Sequence, residues 1–395
     1  MSCLRGLANS IGLVAGLVLA ASASAEPRGT GDLGIIIERA AGSAVLVETT
    51  THTALGRFEG LGDLSHASAV FSRDGRYAYL FGRDGGLSKL DLLTGTVAAR
   101  TIQAGNSIGG AISQDGRLVA VSNYEPGGVR IFDSRTLAPV ADIPAVYGDG
   151  EKRSRVVGLV DAPDRRFIFS LFDAGEIWIA DLHNEKSPAI QRVPNIGREP
   201  YDGLITPETR YYIAGLFGED GLALLDLWAP EQGARRIVAG YGRGEEPLPV
   251  YKMPHLEGWA AAGDYLFVPA VGHHYVLAVD RRSWNEVARI PVQGQPVFAM
   301  ARPDGRQVWV NFALPDNGVV QVIDVASLQV VQRLTPGRAV LHMEFTPRGE
   351  EVWISARDDN RVVVFDTGSF MPVAQLAVDQ PSGIFFAARA NRIGM

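Results

Sequence analysis

A short phrase returns about eight times along the chain, roughly every 40–55 residues: turn, apolar strand, polar loop, apolar strand, acid. Clear copies are Gly75-Arg76-Tyr77-Ala78-Tyr79-Leu80 running to Asp91, and Gly305-Arg306-Gln307-Val308-Trp309-Val310 running to Asp324. Gly116 opens a copy that ends at Asp133, and Gly349 one that ends at Asp366. Looser copies end at Asp181, Asp226, Asp280 and Glu48. A period of this length holds one four-stranded sheet, too small to bury its own faces, so the copies must pack on one another. The expectation is an all-β chain, an eight-bladed β-propeller forming a single ring.

The copy around Gly75 splits into an inner strand A over 66–72, then B over 77–81, C over 87–92 and D over 97–102. The first 30 residues after position 30 supply three strands with no inner strand before them, at 34–38, 44–48 and 55–58. The C-terminus ends on Pro381-Ser382-Gly383-Ile384-Phe385-Phe386, an inner strand with no sheet after it. These pieces combine as one blade built from both chain ends, which leaves no open edge. The buried-type aromatics Phe167, Phe169, Trp178, Tyr265, Trp309 and Trp353 are read as blade-to-blade packing.

Two segments follow: a leader over 1–25 and the propeller over 26–395. Arg5 supplies a positive start, 11–21 an apolar stretch too short to span a bilayer, and Ala23-Ser24-Ala25 the small residues of a cleavage site. Export to the periplasm is expected, with a retained N-terminal anchor as the alternative and no span in the mature protein. The only cysteine, Cys3, precedes the apolar stretch, so the exported chain would carry no disulfide and no thiolate metal site. The net charge of −7 provides no overall basic field for nucleic acid. No Gly-rich nicotinamide motif stands between a strand and a helix.

Topology selects a functional face. If A leaves one face, the B–C loops, the D–A connections and the starts of A all return to it. That mouth gathers His66, Arg83, Asn123, Tyr124, Arg155, Arg198, Tyr201, Asp202, Tyr241, Arg243 and His255, with residues 239–254 long enough to form a lid. His66, at the opening of an inner strand, can face the channel, where an imidazole can bind iron or move protons. Arginines suit carboxylates through paired, charge-assisted hydrogen bonds. His52, His183 and His342 carry no assigned role.

The segment His66-Ala67-Ser68-Ala69-Val70-Phe71-Ser72-Arg73-Asp74-Gly75-Arg76-Tyr77, followed by Tyr201-Asp202-Gly203-Leu204, His342-Met343-Glu344-Phe345-Thr346-Pro347-Arg348-Gly349 and Pro381-Ser382-Gly383-Ile384-Phe385-Phe386, resembles the haem d1 domain of cytochrome cd1 nitrite reductase. The order of the motifs covers nearly the whole chain after residue 25, and the likeness is closer to the branch of that family that acts in haem d1 biosynthesis. The resemblance implies a haem d1 or iron-containing precursor in the central channel, with His66 as axial ligand to the iron. The reductase has a distal histidine where this chain has Tyr201, and a second near Tyr241-Gly242-Arg243-Gly244, so nitrite reduction is expected to be absent. No Cys-x-x-Cys-His is present for a covalent haem c.

On this reading His66, Tyr201 and Asp202 are the candidate catalytic residues. His66, Arg83, Asn123, Tyr124, Arg155, Arg198, Tyr241, Arg243 and His255 are the candidate ligand-binding residues. Two functions stay open, beside a third reading as a generic propeller scaffold for protein contacts with no tetrapyrrole affinity. One is a late maturation enzyme, with dehydrogenation or oxidation at the macrocycle periphery as its reaction. The other is a non-catalytic tetrapyrrole carrier that delivers to later enzymes or to nitrite reductase. Expected partners are other haem d1 maturation proteins and cytochrome cd1 nitrite reductase.

Overall fold

The computed structural model describes residues 30–241 and 259–392. Eight four-stranded antiparallel sheets form an eight-bladed β-propeller, with one extra two-stranded hairpin, Val146–Tyr147 and Lys152–Arg153. Blade 1 is the composite one. Leu33–Glu38, Ser43–Glu48 and Thr53–Phe58 are closed on the inside by Pro381–Phe386, and Ile36 pairs with Ile384. Blade 2 then runs Ser68–Phe71, Tyr77–Phe81, Gly86–Asp91 and Thr96–Ile102, so its inner strand starts two residues later than the expected 66. The other inner strands are Asn106–Ile112, Val156–Ala162, Pro200–Ile205, Ala260–Ala262, Pro296–Ala301 and Val340–Phe345, for blades 3 to 8.

The core is a ring of eight apolar clusters, one at each blade interface. Alternation along each strand makes this possible, because neighbouring side chains point to opposite faces. Thus Ile35 and Ile37 pack towards blade 2, whereas Ile36 packs towards blade 8. Trp309 meets Phe345 edge-on across the interface of blades 7 and 8, and Trp353 meets Phe386 where blade 8 joins blade 1. The aromatics therefore seal interfaces, as their spacing suggests.

The recurring acid shapes the turn after strand C. Asp91 Oδ1 accepts from the Leu93 and Thr94 N–H groups, Asp280 Oδ1 from Arg282 and Ser283, and Glu48 from Thr50 and Thr51. These side-chain bonds fix the tight reversal that each blade needs. The most regular feature of the sequence is thus architectural.

The far end of the channel is closed by a 3-10 turn, Ala387–Asn391, which follows the last strand. Arg389 and Glu344 form a buried two-pronged ion pair there, with Nε to Oε1 at 2.8 Å and Nη2 to Oε2. Arg73 ties the same turn to blades 3 and 4. It donates to the carbonyls of Ala390, Ile112 and Ser113, and its Nη2 lies 3.4 Å from Asp161. Among the described residues no helix is long and apolar enough to cross a membrane.

Candidate functional site

The inner strands are not regular, and their irregularity builds the site. In five blades two consecutive residues of strand A oppose a single residue of its neighbour: Gly158-Leu159, Tyr201-Asp202, Val297-Phe298, Leu341-His342 and Ser382-Gly383. Blade 3 has the same slip at Ile108. All of these residues line one central cavity of about 630 Å³, a size suited to a bound cofactor or drug-sized ligand. A β-bulge re-aims side chains at the cost of backbone pairing. Here the freed backbone is satisfied by buried polar groups of strand B. Asn311 Oδ1 accepts from Phe298 N–H (3.0 Å), Ser355 Oγ accepts from His342 N–H (2.9 Å), and Ser122 Oγ donates to the Gly109 carbonyl (3.0 Å). Tyr212 OH donates to the Gly158 carbonyl at 2.7 Å. Gly158 itself has φ +58°, and a Cβ there would meet the Tyr212 hydroxyl and the Gly203 nitrogen at 2.7 Å.

His66, Arg83, Tyr201 and Asp202 line this cavity together. His66 sits just before the inner strand of blade 2 and is hydrogen-bonded to the Ile108 main chain. Burial, reinforced by the charges of Arg83 and Arg39, holds its pKa down to about 4, so the ring is neutral at neutral pH. Three blades further round, Asp202 is only 7% exposed, and its Oδ2 has no hydrogen-bond partner. Burial lifts its carboxyl well above the usual range and so favours its protonated form. Tyr201 beside it is likewise raised, by burial and then by Asp202, and its hydroxyl accepts from Tyr124 OH at 3.2 Å. His66, Tyr201 and Asp202 thus stand on the wall between the mouth and the Arg389–Glu344 pair at the far end, where Arg389 also lines the cavity. The B–C loop arginines Arg39, Arg83 and Arg357 stand at the mouth, and Arg83 makes no ion pair among the described residues.

The remaining expected ligand contacts are placed elsewhere. Asn123 is 1% exposed and exchanges hydrogen bonds with Gln103 at 2.8 and 3.2 Å, so it clamps blade 3 instead of lining the rim. Tyr241 lies in the apolar cluster between blades 5 and 6 and donates to the Pro269 carbonyl. Arg155 is committed to Asp173 (Nη2 to Oδ1, 2.6 Å) and lies over the Phe172 ring at 4.1 Å. Arg198 projects into solvent with Glu219 at 3.7 Å. Tyr124 stands behind Tyr201 and does not reach the cavity wall. Arg243, His255 and nearly all of the expected lid lie outside the described residues.

One wall residue was missed. His342, given no role above, lines the cavity from the bulge of blade 8. The available signal was its place: third in an inner strand, the position Asp202 holds in blade 5. A second signal was the Ser or Asn inside the apolar B strands, at Ser122, Asn311 and Ser355, which marks where the neighbouring backbone needs a partner.

Comparison with known proteins agrees with this geometry. Residues 28–390 match the cytochrome D1 heme domain family. Protein NirF of Pseudomonas aeruginosa is 62% identical over 96% of this chain and 97% of its own. Protein NirF of Stutzerimonas stutzeri is 59% identical over the same shares. A dihydro-heme d1 dehydrogenase of Pseudomonas aeruginosa is 31% identical over 83% of this chain and 65% of its own. Among solved structures, dihydro-heme d1 dehydrogenase NirN in complex with DHE superposes with a TM-score of 0.81 at 26% identity, covering 92% of this chain and 76% of that one. The chain belongs to the cytochrome D1 heme domain family and stands within it beside the NirF proteins.

Proposed function

We propose that this protein binds a d1-type tetrapyrrole precursor in its central cavity and acts on it as a late maturation enzyme in the periplasm. The location follows from reading residues 1–25 as an export leader. The ligand class is supported by the cavity itself and by the DHE held in the NirN structure. An apolar macrocycle with acidic arms fits a largely apolar wall below a mouth of arginines. His66, neutral and partly buried, is the group suited to an iron already held by four ring nitrogens. Arg83 is the mouth cation suited to a carboxylate arm.

The observation that carries the catalytic reading is Asp202. A carboxyl left without a partner in a buried wall is a stability cost, and such groups gather where chemistry needs them. Its raised pKa makes it an acid when protonated and a strong base once charged, so it can exchange a proton with the macrocycle edge. Tyr201 extends that polar edge and is oriented by Tyr124. The overall reaction we favour is dehydrogenation of the periphery, with protons leaving by the wall and two electrons passing to an external acceptor.

The test is incubation of the purified protein with dihydro-haem d1 and a soluble electron acceptor, read by absorbance and by the mass of the pigment. Conversion by wild type, lost in Asp202→Asn while binding stays within about threefold, is the expected result. Unaltered pigment with wild type and every acceptor tried would turn the reading to a carrier. His66→Ala should change the spectrum of the bound pigment, and an unchanged spectrum would remove His66 from the iron.

A further inference from the structure

The Tyr201 phenol on the cavity wall is fixed by its neighbours at both ends, ring and hydroxyl. It belongs to the bulge of blade 5, where two residues of strand A oppose one of strand B. Its ring meets Phe172 edge-on at 6.1 Å and Phe217 tilted at 6.4 Å, and those two rings meet each other at 6.4 Å. Phe172 in turn carries the Arg155 guanidinium 4.1 Å from its centroid, and Arg155 is held by Asp173. The ring is therefore set by groups from blades 4 and 5.

The hydroxyl has a defined polarity. Tyr124, from blade 3, donates its O–H to the Tyr201 oxygen at 3.2 Å, the one hydrogen bond that this oxygen makes among the described residues. Burial, and then Asp202, holds the Tyr201 phenol above its ordinary range; burial, and then Tyr201, does the same to Tyr124. Both hydroxyls therefore keep their hydrogens at neutral pH, and Tyr124 commits its own to Tyr201. A phenol that already accepts in this way has its O–H left to donate.

We infer that Tyr201 is a specificity-determining residue that donates its O–H to a carbonyl oxygen borne by the tetrapyrrole ring, and that Tyr124 is the positioning residue that aims it. This rests on the cavity being the tetrapyrrole site. An uncharged acceptor suits this wall better than a carboxylate arm does. Asp202 follows directly on the same wall, and an arm placed there would set like charges together once Asp202 ionises. Arg155, beside Phe172, is already paired with Asp173, whereas Arg83 stands at the mouth without an ion pair among the described residues. Charged arms and ring oxygen are thus read by different blades, the arms by Arg83 on blade 2 and the oxygen by Tyr201 on blade 5. A site built to hydrogen-bond an oxygen rejects a ring that lacks it, because its donor is then left unpaired.

Resonance Raman spectra of bound dihydro-haem d1 read the ring carbonyls directly, since loss of a hydrogen bond raises a carbonyl's stretching frequency. They are taken without an electron acceptor, so they stand apart from turnover. Tyr201→Phe removes one oxygen atom and keeps the ring beside Phe172 and Phe217. It should raise a ring carbonyl stretch and weaken binding about tenfold in absorbance titrations, the effect of one hydrogen bond lost in a buried site. Tyr124→Phe should raise the same stretch by less and weaken binding about threefold. Arg83→Ala acts on a carboxylate arm, so it should weaken binding and leave the stretch where it is. An unchanged stretch or an unchanged affinity in Tyr201→Phe, or a stretch that moves as far in Arg83→Ala, would each overturn the assignment. A stretch unmoved in Tyr124→Phe would remove Tyr124 as the positioning residue. A wild-type protein with no affinity for dihydro-haem d1 would instead bring down the tetrapyrrole reading, and this inference with it.

Discussion

Replacing Arg389 with methionine removes the two-pronged partner of a buried carboxylate at the base of the channel. The Arg389 side chain is 7% exposed and that of Glu344 3%, and the pair shares two parallel hydrogen bonds. Removing Arg389 takes both of these hydrogen bonds from the buried Glu344 carboxylate. Breaking a buried pair from one side costs about 3–5 kcal/mol, whereas replacing both members with apolar groups of similar volume is close to neutral. Arg389→Met and Glu344→Leu should therefore each lower stability by about 3–5 kcal/mol, and the double variant should recover most of that loss, giving a coupling energy of several kcal/mol. Equilibrium urea unfolding reads this directly. Trp178, Trp309 and Trp353 are fully buried at blade interfaces and report ring opening by fluorescence. Single variants within 1 kcal/mol of wild type, or a double variant as unstable as the sum of the two, would refute the argument that the floor is held by a desolvated pair.

Other outcomes follow from the site. His66 is held at about 4 in the folded protein against about 6.5 when unfolded, so its contribution is present above pH 6.5 and lost as pH falls towards 4. In ligand-free protein the stability of wild type relative to His66→Gln should fall by about 3 kcal/mol across that window, and parallel pH profiles would contradict the burial argument. Arg83→Ala should weaken dihydro-haem d1 binding several-fold, and more at low salt than at high salt. Arg155→Ala should weaken it less, because Arg155 is already paired with Asp173; absorbance titrations that reverse this ranking would shift the carboxylate contact to Arg155.

The parts of the molecule legible in the sequence are those set by local pattern. Tyr77–Phe81 follows directly from an alternating run between two turns, and the composite blade follows from an inner strand at 381–386 that lacks a sheet of its own. Arg83 and Asp202 were legible because the topology alone sends B–C loops and strand A starts to one face. Asn123 and Tyr241 were misplaced for the same physical reason. Loop proximity says nothing of whether a side chain turns to the channel or into its own blade, and Gln103 and Pro269 decide that. His342 was hidden because a regular strand would not present both Leu341 and His342 to the cavity; the bulge does. Bulge positions depend on backbone partners such as Ser355 and Asn311, which are far from them along the chain or in the next blade.

The composite blade has a consequence in time. Ser382, Gly383 and Phe385 form part of the cavity wall, and they are made by the ribosome after all the other sheets. Until that last strand docks beside Leu33–Glu38, the circle has a gap and the cavity lacks part of its wall. On the proposed function, a precursor would meet its full enclosure only once the last strand has closed the ring.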